Sequence, residues 1–190
     1  MGNRKVVIIV FYPRLSPRQE LIARALKKAG FSIAVLAWDR TGERSDTPET
    51  CLYIDEWRWV HVPAPLGKAR VVLTLAAYYR QLIKLIRAFE KETVWILTHF
   101  FLLPVQFFCS GVRIYDAAEL FALDLTRYLP LPRVFARKMV AFCEGMLERP
   151  LGGVLTTDSK GEWLETFYRR WNSHVQVLWN VPSREDEPPE

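Results

Sequence analysis

Apolar residues along this chain gather in short unbroken runs, and the stretches between them have helical period. Lys5 to Phe11, KVVIIVF, shows no polar alternation, as expected of a strand buried on both faces of a parallel sheet. Behind it Ser16 is placed to cap a helix, Pro17 suits the first helical position and Gln19 can close a capping box. Leu21, Ile22, Ala25, Leu26 and Ala29 recur at helical spacing, and Gly30 stands where a left-handed C-terminal residue belongs. Phe31 to Ala37 is a second apolar run. Strand, helix and strand together predict a βαβ unit with a right-handed crossover.

The same alternation continues. Trp38 to Thr50 is polar with glycine and proline, which predicts a surface loop, and Tyr53 to Val62 predicts a third strand. Lys68 to Lys91 predicts a long helix. Its buried stripe would hold Val72, Leu75, Ala76, Tyr79, Leu82, Ile83, Ile86 and Phe89, and its polar face Arg70, Arg80, Lys84, Arg87 and Lys91. Val94 to Thr98 is a fourth strand, Leu102 to Ser110 a short apolar helix, and Val112 to Tyr115 a fifth strand that breaks into a polar turn, Asp116 to Glu119. Pro130 to Arg149 is a helix, basic and aromatic in its first half. Val154 to Thr157, a helix capped by Ser159 that runs to about Arg170, and Val175 to Trp179 complete the pattern. Strands alternating with helices predict a doubly wound, mostly parallel, Rossmann-like α/β sheet with helices on both faces. Residues 1–182 would form that domain, and residues 183–190, SREDEPPE, an acidic proline-rich linker stub.

No apolar run approaches the ~20 residues of a membrane span. The start, MGNRKVVIIVF, lacks a small-residue cleavage site and reads as a strand rather than a signal peptide. Three widely spaced cysteines, Cys51, Cys109 and Cys143, fit neither a metal pattern nor a disulfide framework, so a cytoplasmic, reducing setting is expected. A net charge of +5 favours an anionic partner: nucleic acid, an acidic membrane face or a phosphorylated small molecule. The basic residues are spread over two helices without a recognition motif, which argues against nucleic acid.

Several chemistries lack their motifs. There is no G-x-G-x-x-G after the first strand, no P-loop lysine and no G-x-S-x-G elbow. Three histidines, His61, His99 and His174, leave few ligands for a catalytic zinc, and neither a metal nor a cofactor is expected. What remains is polar residues at predicted strand ends. Tyr12, Arg14 and Arg18 follow the first strand, His99 ends the fourth, Asp116 and Glu119 end the fifth, and Asp158 and Ser159 end the sixth. In open parallel sheets the ligand crevice lies outside the carboxyl ends of the strands. Asp158 and Ser159 read more simply as helix caps, and Asp116 also admits a capping role.

The order FYPRLSPRQELIARALKKAGFSIAVLAWDR, PAPLGKAR, IYDAAELFALDL, GVLTTDSKGEWLETFY and VLWNVPS resembles the N-terminal domain of glycosyltransferases with two Rossmann-like domains (the GT-B fold), in the large retaining group called family four. The resemblance covers essentially the whole chain. It implies an acceptor-binding half, with the nucleotide-sugar donor held mainly by a second domain, so that this half alone would not turn over. It implies catalytic roles for His99, Asp116 and Glu119, substrate contacts from Tyr12, Arg14 and Arg18, and a further contact from Asn180 in the crossing segment VLWNVPS. Ala118 stands where the family's Y-D-A-H-E segment has a histidine, and His99 or another group would have to replace it. Many relatives use lipid-linked acceptors, which implies that Arg80, Lys84, Arg87, Arg133, Arg137 and Lys138 rest against an anionic membrane surface. A second reading stays open: a stand-alone or non-catalytic half that needs a partner chain.

Overall fold

The computed structural model describes residues 4–44, 53–64, 70–89, 93–117, 132–157 and 161–178. In chain order the elements are β1 (Lys5–Val10), α1 (Pro17–Lys28), β2 (Ser32–Asp39), β3 (Glu56–His61), α2 (Arg70–Ile86), β4 (Val94–Leu97), a 3-10 helix (Phe100–Phe108), β5 (Arg113–Ala117), α3 (Arg133–Glu148), β6 (Gly153–Thr157), α4 (Gly161–Arg169) and β7 (Val175–Leu178). The fold is α/β and Rossmann-like, and every ladder is parallel. The chain forms two compact units, Met1–Asp116 and Ala117–Glu190.

In the first unit the strands lie in the order β3-β2-β1-β4-β5. The sequence builds outward from β1 in one direction and then restarts from β1 in the other. That reversal, between β1 and β4, is where a parallel sheet opens a crevice at its carboxyl edge. The unbroken apolar runs are explained by burial on both faces. Val6, Ile8 and Val10 pack with Ile33, Val35, Ala37 and Ile96, against Ala23, Ile22 and Leu26 of α1. The intervening Val7 and Ile9 are equally buried on the opposite face.

Helix α1 is terminated at both ends by its own sequence. The Ser16 hydroxyl accepts from the Gln19 N–H, and the Gln19 side chain accepts from the Ser16 N–H at 2.8 Å. At the other end Gly30 has φ +85°. There the N–H groups of Gly30 and Phe31 donate to the carbonyls of Lys27 and Leu26, the paired bonds of a Schellman cap.

Elements on and beside the sheet depart from the pattern read along the chain. β2 continues past Ala37 through Asp39, because β3 pairs with it as far as Asp39↔His61. Trp38 is thereby fully buried, with its indole N–H donating to the Val62 carbonyl at 2.8 Å. The buried stripe of α2 runs Leu75, Tyr78, Leu82 and Ile86, while Ala76 faces solvent. Tyr78 therefore takes the central place expected for Tyr79, and its ring lies 4.4 Å from that of Trp38. The apolar segment after β4 is a 3-10 helix that starts at Phe100, with the proline Pro104 inside it.

The second unit contains the parallel pair β6 and β7, in register Val154↔Val175. Asn172 fastens its parts. The side-chain amide donates to the carbonyls of Glu148 and Leu151, and its oxygen accepts from the His174 N–H at 2.8 Å. Gly145 of α3 lies against the Trp171 indole so closely that a Cβ there would fall 2.1 Å from the ring. Only glycine fits that approach.

Candidate substrate-binding edge of the first unit

β5 extends through Ala117, so Asp116 is a strand residue and not the first residue of a turn. Its side chain is 1% exposed. Arg18, in the first turn of α1, meets it: the guanidinium Nε donates to Asp116 Oδ1 at 2.8 Å. The two residues are 98 positions apart and reach each other because β1 and β5 flank β4 on one sheet edge. Burial pushes the Asp116 carboxyl up from its ordinary value, and the charge and hydrogen bond of Arg18 pull against that without cancelling it. Asp116 Oδ2 is buried with no hydrogen-bond partner among the described residues. A carboxyl with one oxygen anchored and the other unspent is equipped to accept a hydrogen bond from a hydroxyl.

His99 follows β4 and caps the 3-10 helix. Its Nδ1 accepts from the Phe101 N–H at 3.2 Å, so the neutral ring carries its proton on Nε2 and is a donor there. The ring stacks on Phe11 at 4.6 Å with an interplanar angle of 12°, and Tyr12 meets it edge-on at 5.9 Å. Burial, and then the charge of Arg40, lower its pKa to about 4. His99 at neutral pH is thus an uncharged hydrogen-bond donor on an aromatic shelf.

Arg40 was not singled out in the sequence, because it sat in a segment read as loop. Extension of β2 brings its guanidinium 4.6 Å from the Trp38 ring, 5.4 Å from Phe11 and 5.7 Å from Tyr12. It makes no ion pair among the described residues. Neighbouring Asp39 is fully occupied. Burial alone would raise its pKa, and the Thr41 hydroxyl, the Arg44 and Thr41 N–H groups and His61 together hold it well below the usual carboxylate range.

The edge therefore brings together Tyr12, Arg18, Arg40, His99 and Asp116, at the ends of β1, β2, β4 and β5 and the start of α1. Tyr12 is 53% exposed, and Arg14 is also exposed. Glu119, Ala118, Asp158, Ser159 and Asn180 lie outside the described residues. Among the described residues no three histidine, cysteine, aspartate or glutamate side chains gather in a metal-binding group. No described helix is long and apolar enough to cross a membrane.

Comparison with known proteins gives a fold. No protein-family model matches the sequence, and no curated protein matches it. Among solved structures, sucrose-phosphate synthase from Thermosynechococcus elongatus superposes with a TM-score of 0.61 at 11% identity, over 93% of this chain and 47% of that one. UGT89C1 of Arabidopsis thaliana, solved with UDP-L-rhamnose, gives a TM-score of 0.56 at 14% identity over 96% of this chain and 50% of that one. UGT73P12 of Glycyrrhiza uralensis, solved with glycyrrhetinic acid 3-O-monoglucuronide, gives 0.55 at 13% identity over 94% and 49%. These neighbours are GT-B glycosyltransferases. The chain has the architecture of one Rossmann-like half of that fold and spans about half the length of these proteins.

Proposed function

We propose that this chain is the acceptor-binding, N-terminal half of a glycosyltransferase that moves a sugar from a nucleotide sugar to an acceptor hydroxyl. The observation that carries the reading is the placement of the Arg18–Asp116 pair. It stands at the carboxyl edge beside the β1/β4 reversal, with one buried carboxylate oxygen left without a partner. In this reading Asp116 Oδ2 accepts the hydrogen bond of the acceptor hydroxyl and orients it. Arg18 holds the carboxylate in place and opposes its protonation. His99 Nε2–H donates to a substrate oxygen, in the role of the family histidine that Ala118 replaces. The exposed Tyr12 ring provides an apolar wall, and Arg14 and Arg40 a positive rim suited to an acidic group on the acceptor.

The donor diphosphate is assigned to a second Rossmann-like domain, so this half alone would not turn over. Glu119 and Asn180 are proposed as further substrate contacts. Lipid-linked acceptors suit the basic character of the chain, and we place the protein in the cytoplasm, peripheral on an anionic membrane face.

The test is transfer from a panel of radiolabelled nucleotide sugars to lipid and oligosaccharide acceptors, by the protein encoded in the complete reading frame. Asp116→Asn and Glu119→Gln are expected to lower turnover by about 10²-fold or more, with melting temperatures shifted by less than about 5 °C. Unchanged turnover in both variants removes these carboxylates from the site. Transfer that appears only when a second polypeptide is added favours the split-enzyme reading instead.

A further inference from the structure

Helix α3 (Arg133–Glu148) is built the wrong way round for a helix whose outer face meets water. Its buried positions are Ala136, Val140, Glu144, Gly145 and Glu148. The exposed face carries Val134 at 70%, Phe135 at 60% and Phe142 at 57% exposure, together with Met139 and Met146. An amphipathic helix normally turns its apolar stripe inward and its charges outward. Here both acids of the helix are buried, and five of its large apolar side chains are outside.

The outward charges share one sign. Lys138 within the helix and Arg149 at its C-terminal cap are exposed, and no carboxylate of the helix accompanies them. Scattered apolar residues on a surface need no explanation, whereas five on one helix face form a patch that marks an interaction site.

Helix α2 makes the contrast. It exposes Arg80 and Lys84, with Arg87 just past its end, but it buries Leu75, Tyr78, Leu82 and Ile86 and shows no large exposed apolar side chain among its described residues. α2 is an ordinary solvated helix with a basic face. α3 combines apolar bulk with positive charge, the composition of a helix that lies in the plane of an acidic lipid interface.

We infer that α3 is the membrane-docking element of this protein, inserting Phe135, Phe142 and the two methionines among the acyl chains of an anionic phospholipid surface, with Lys138 and Arg149 at headgroup level. Charge complementarity selects this occupant. A second copy related by a two-fold axis would set the same cations against one another without a carboxylate to meet them. The inference deepens the membrane part of the function proposed above. It is read without any donor or acceptor sugar, so its failure and the failure of that function are separate results.

The test is flotation of the chain with vesicles of phosphatidylcholine alone and with vesicles of phosphatidylcholine mixed with phosphatidylglycerol. Binding is expected on the anionic vesicles and not on the neutral ones. Phe135→Ser with Met139→Ser is expected to reduce it at least tenfold, whereas Arg80→Gln with Lys84→Gln is expected to change it less than threefold. Both pairs are exposed, so unchanged thermal melting verifies that the variants fold. As an independent reading, an environment-sensitive fluorophore on exposed Cys143, one turn from Met139 and Met146, should shift to the blue on anionic vesicles. Absence of binding, undiminished binding of the α3 variant, or a larger loss from the α2 variant overturns the inference. So does a dimer in ultracentrifugation that the α3 variant dissolves.

Discussion

Glu148 is the residue with the largest unmet demand. It is fully buried, both carboxyl oxygens lack a partner among the described residues, and burial together with the neighbouring Glu144 raises its pKa to about 10. The folded protein therefore holds a proton that the unfolded chain gives up at ordinary carboxyl pH. The stability associated with that proton is fully present below about pH 4.5 and is lost as pH rises toward 10. Glu148→Gln is expected to stabilise the protein at pH 7.5, on the order of 1–3 kcal/mol. The gain should vanish near pH 4, and melting curves at the two values check it. His99 acts in the opposite direction, since its pKa is lowered to about 4 and stability declines as pH falls from 6.5 toward that value. Single residues of this kind were only half legible in the sequence. Asp116 and His99 stood out because they end strands. Arg18 stood out as well, but its pairing with Asp116 did not, since 98 positions separate the two and only the sheet order brings them together.

At the scale of elements, α1 was readable because everything that defines it is local. Ser16, Pro17 and Gln19 start it and Gly30 ends it within a single stretch, and the structure forms both caps. Ser16→Ala should cost about 1 kcal/mol, measurable as a lower denaturation midpoint with an unchanged denaturant slope. The end of β2 was not readable, because its last pairs are made with β3, a strand that arrives after an intervening loop. That error hid Arg40. The buried stripe of α2 was read correctly at Leu75, Leu82 and Ile86 but not at its centre, since Tyr78 and Tyr79 are equally apolar by pattern and tertiary packing on Trp38 chose between them. α3 shows a further limit. Periodicity reveals that a helix has two faces, but it does not reveal that the more apolar one is left uncovered.

For the molecule as a whole, the parallel sheet and its reversal at β1 were implied by the alternation of elements, and the strand order supplied the edge on which the candidate residues converge. The two compact units meet at Asp116, where no change of composition marks the chain. Amide exchange should be slowest in β1 and β2, whose residues are almost all fully buried and paired on both sides. Protection in β7, which is paired with β6 and has half of its four residues only partly buried, should be weaker. Exchange measured residue by residue tests that ranking.

The 98-residue span of the Arg18–Asp116 pair also has a consequence for synthesis. β1, α1 and β2 are contiguous, and loop closure among them is cheap, so this unit is able to form as it leaves the ribosome. At roughly 5–20 residues per second, Arg18 then waits on the order of 5–20 s before its carboxylate has been translated. Throughout that interval the Arg18 cation at the positive end of a finished helix dipole is without the Asp116 carboxylate. The nascent chain passes through a stage in which the start of α1 carries a cation without the carboxylate it later meets, and completion of β5 ends that stage.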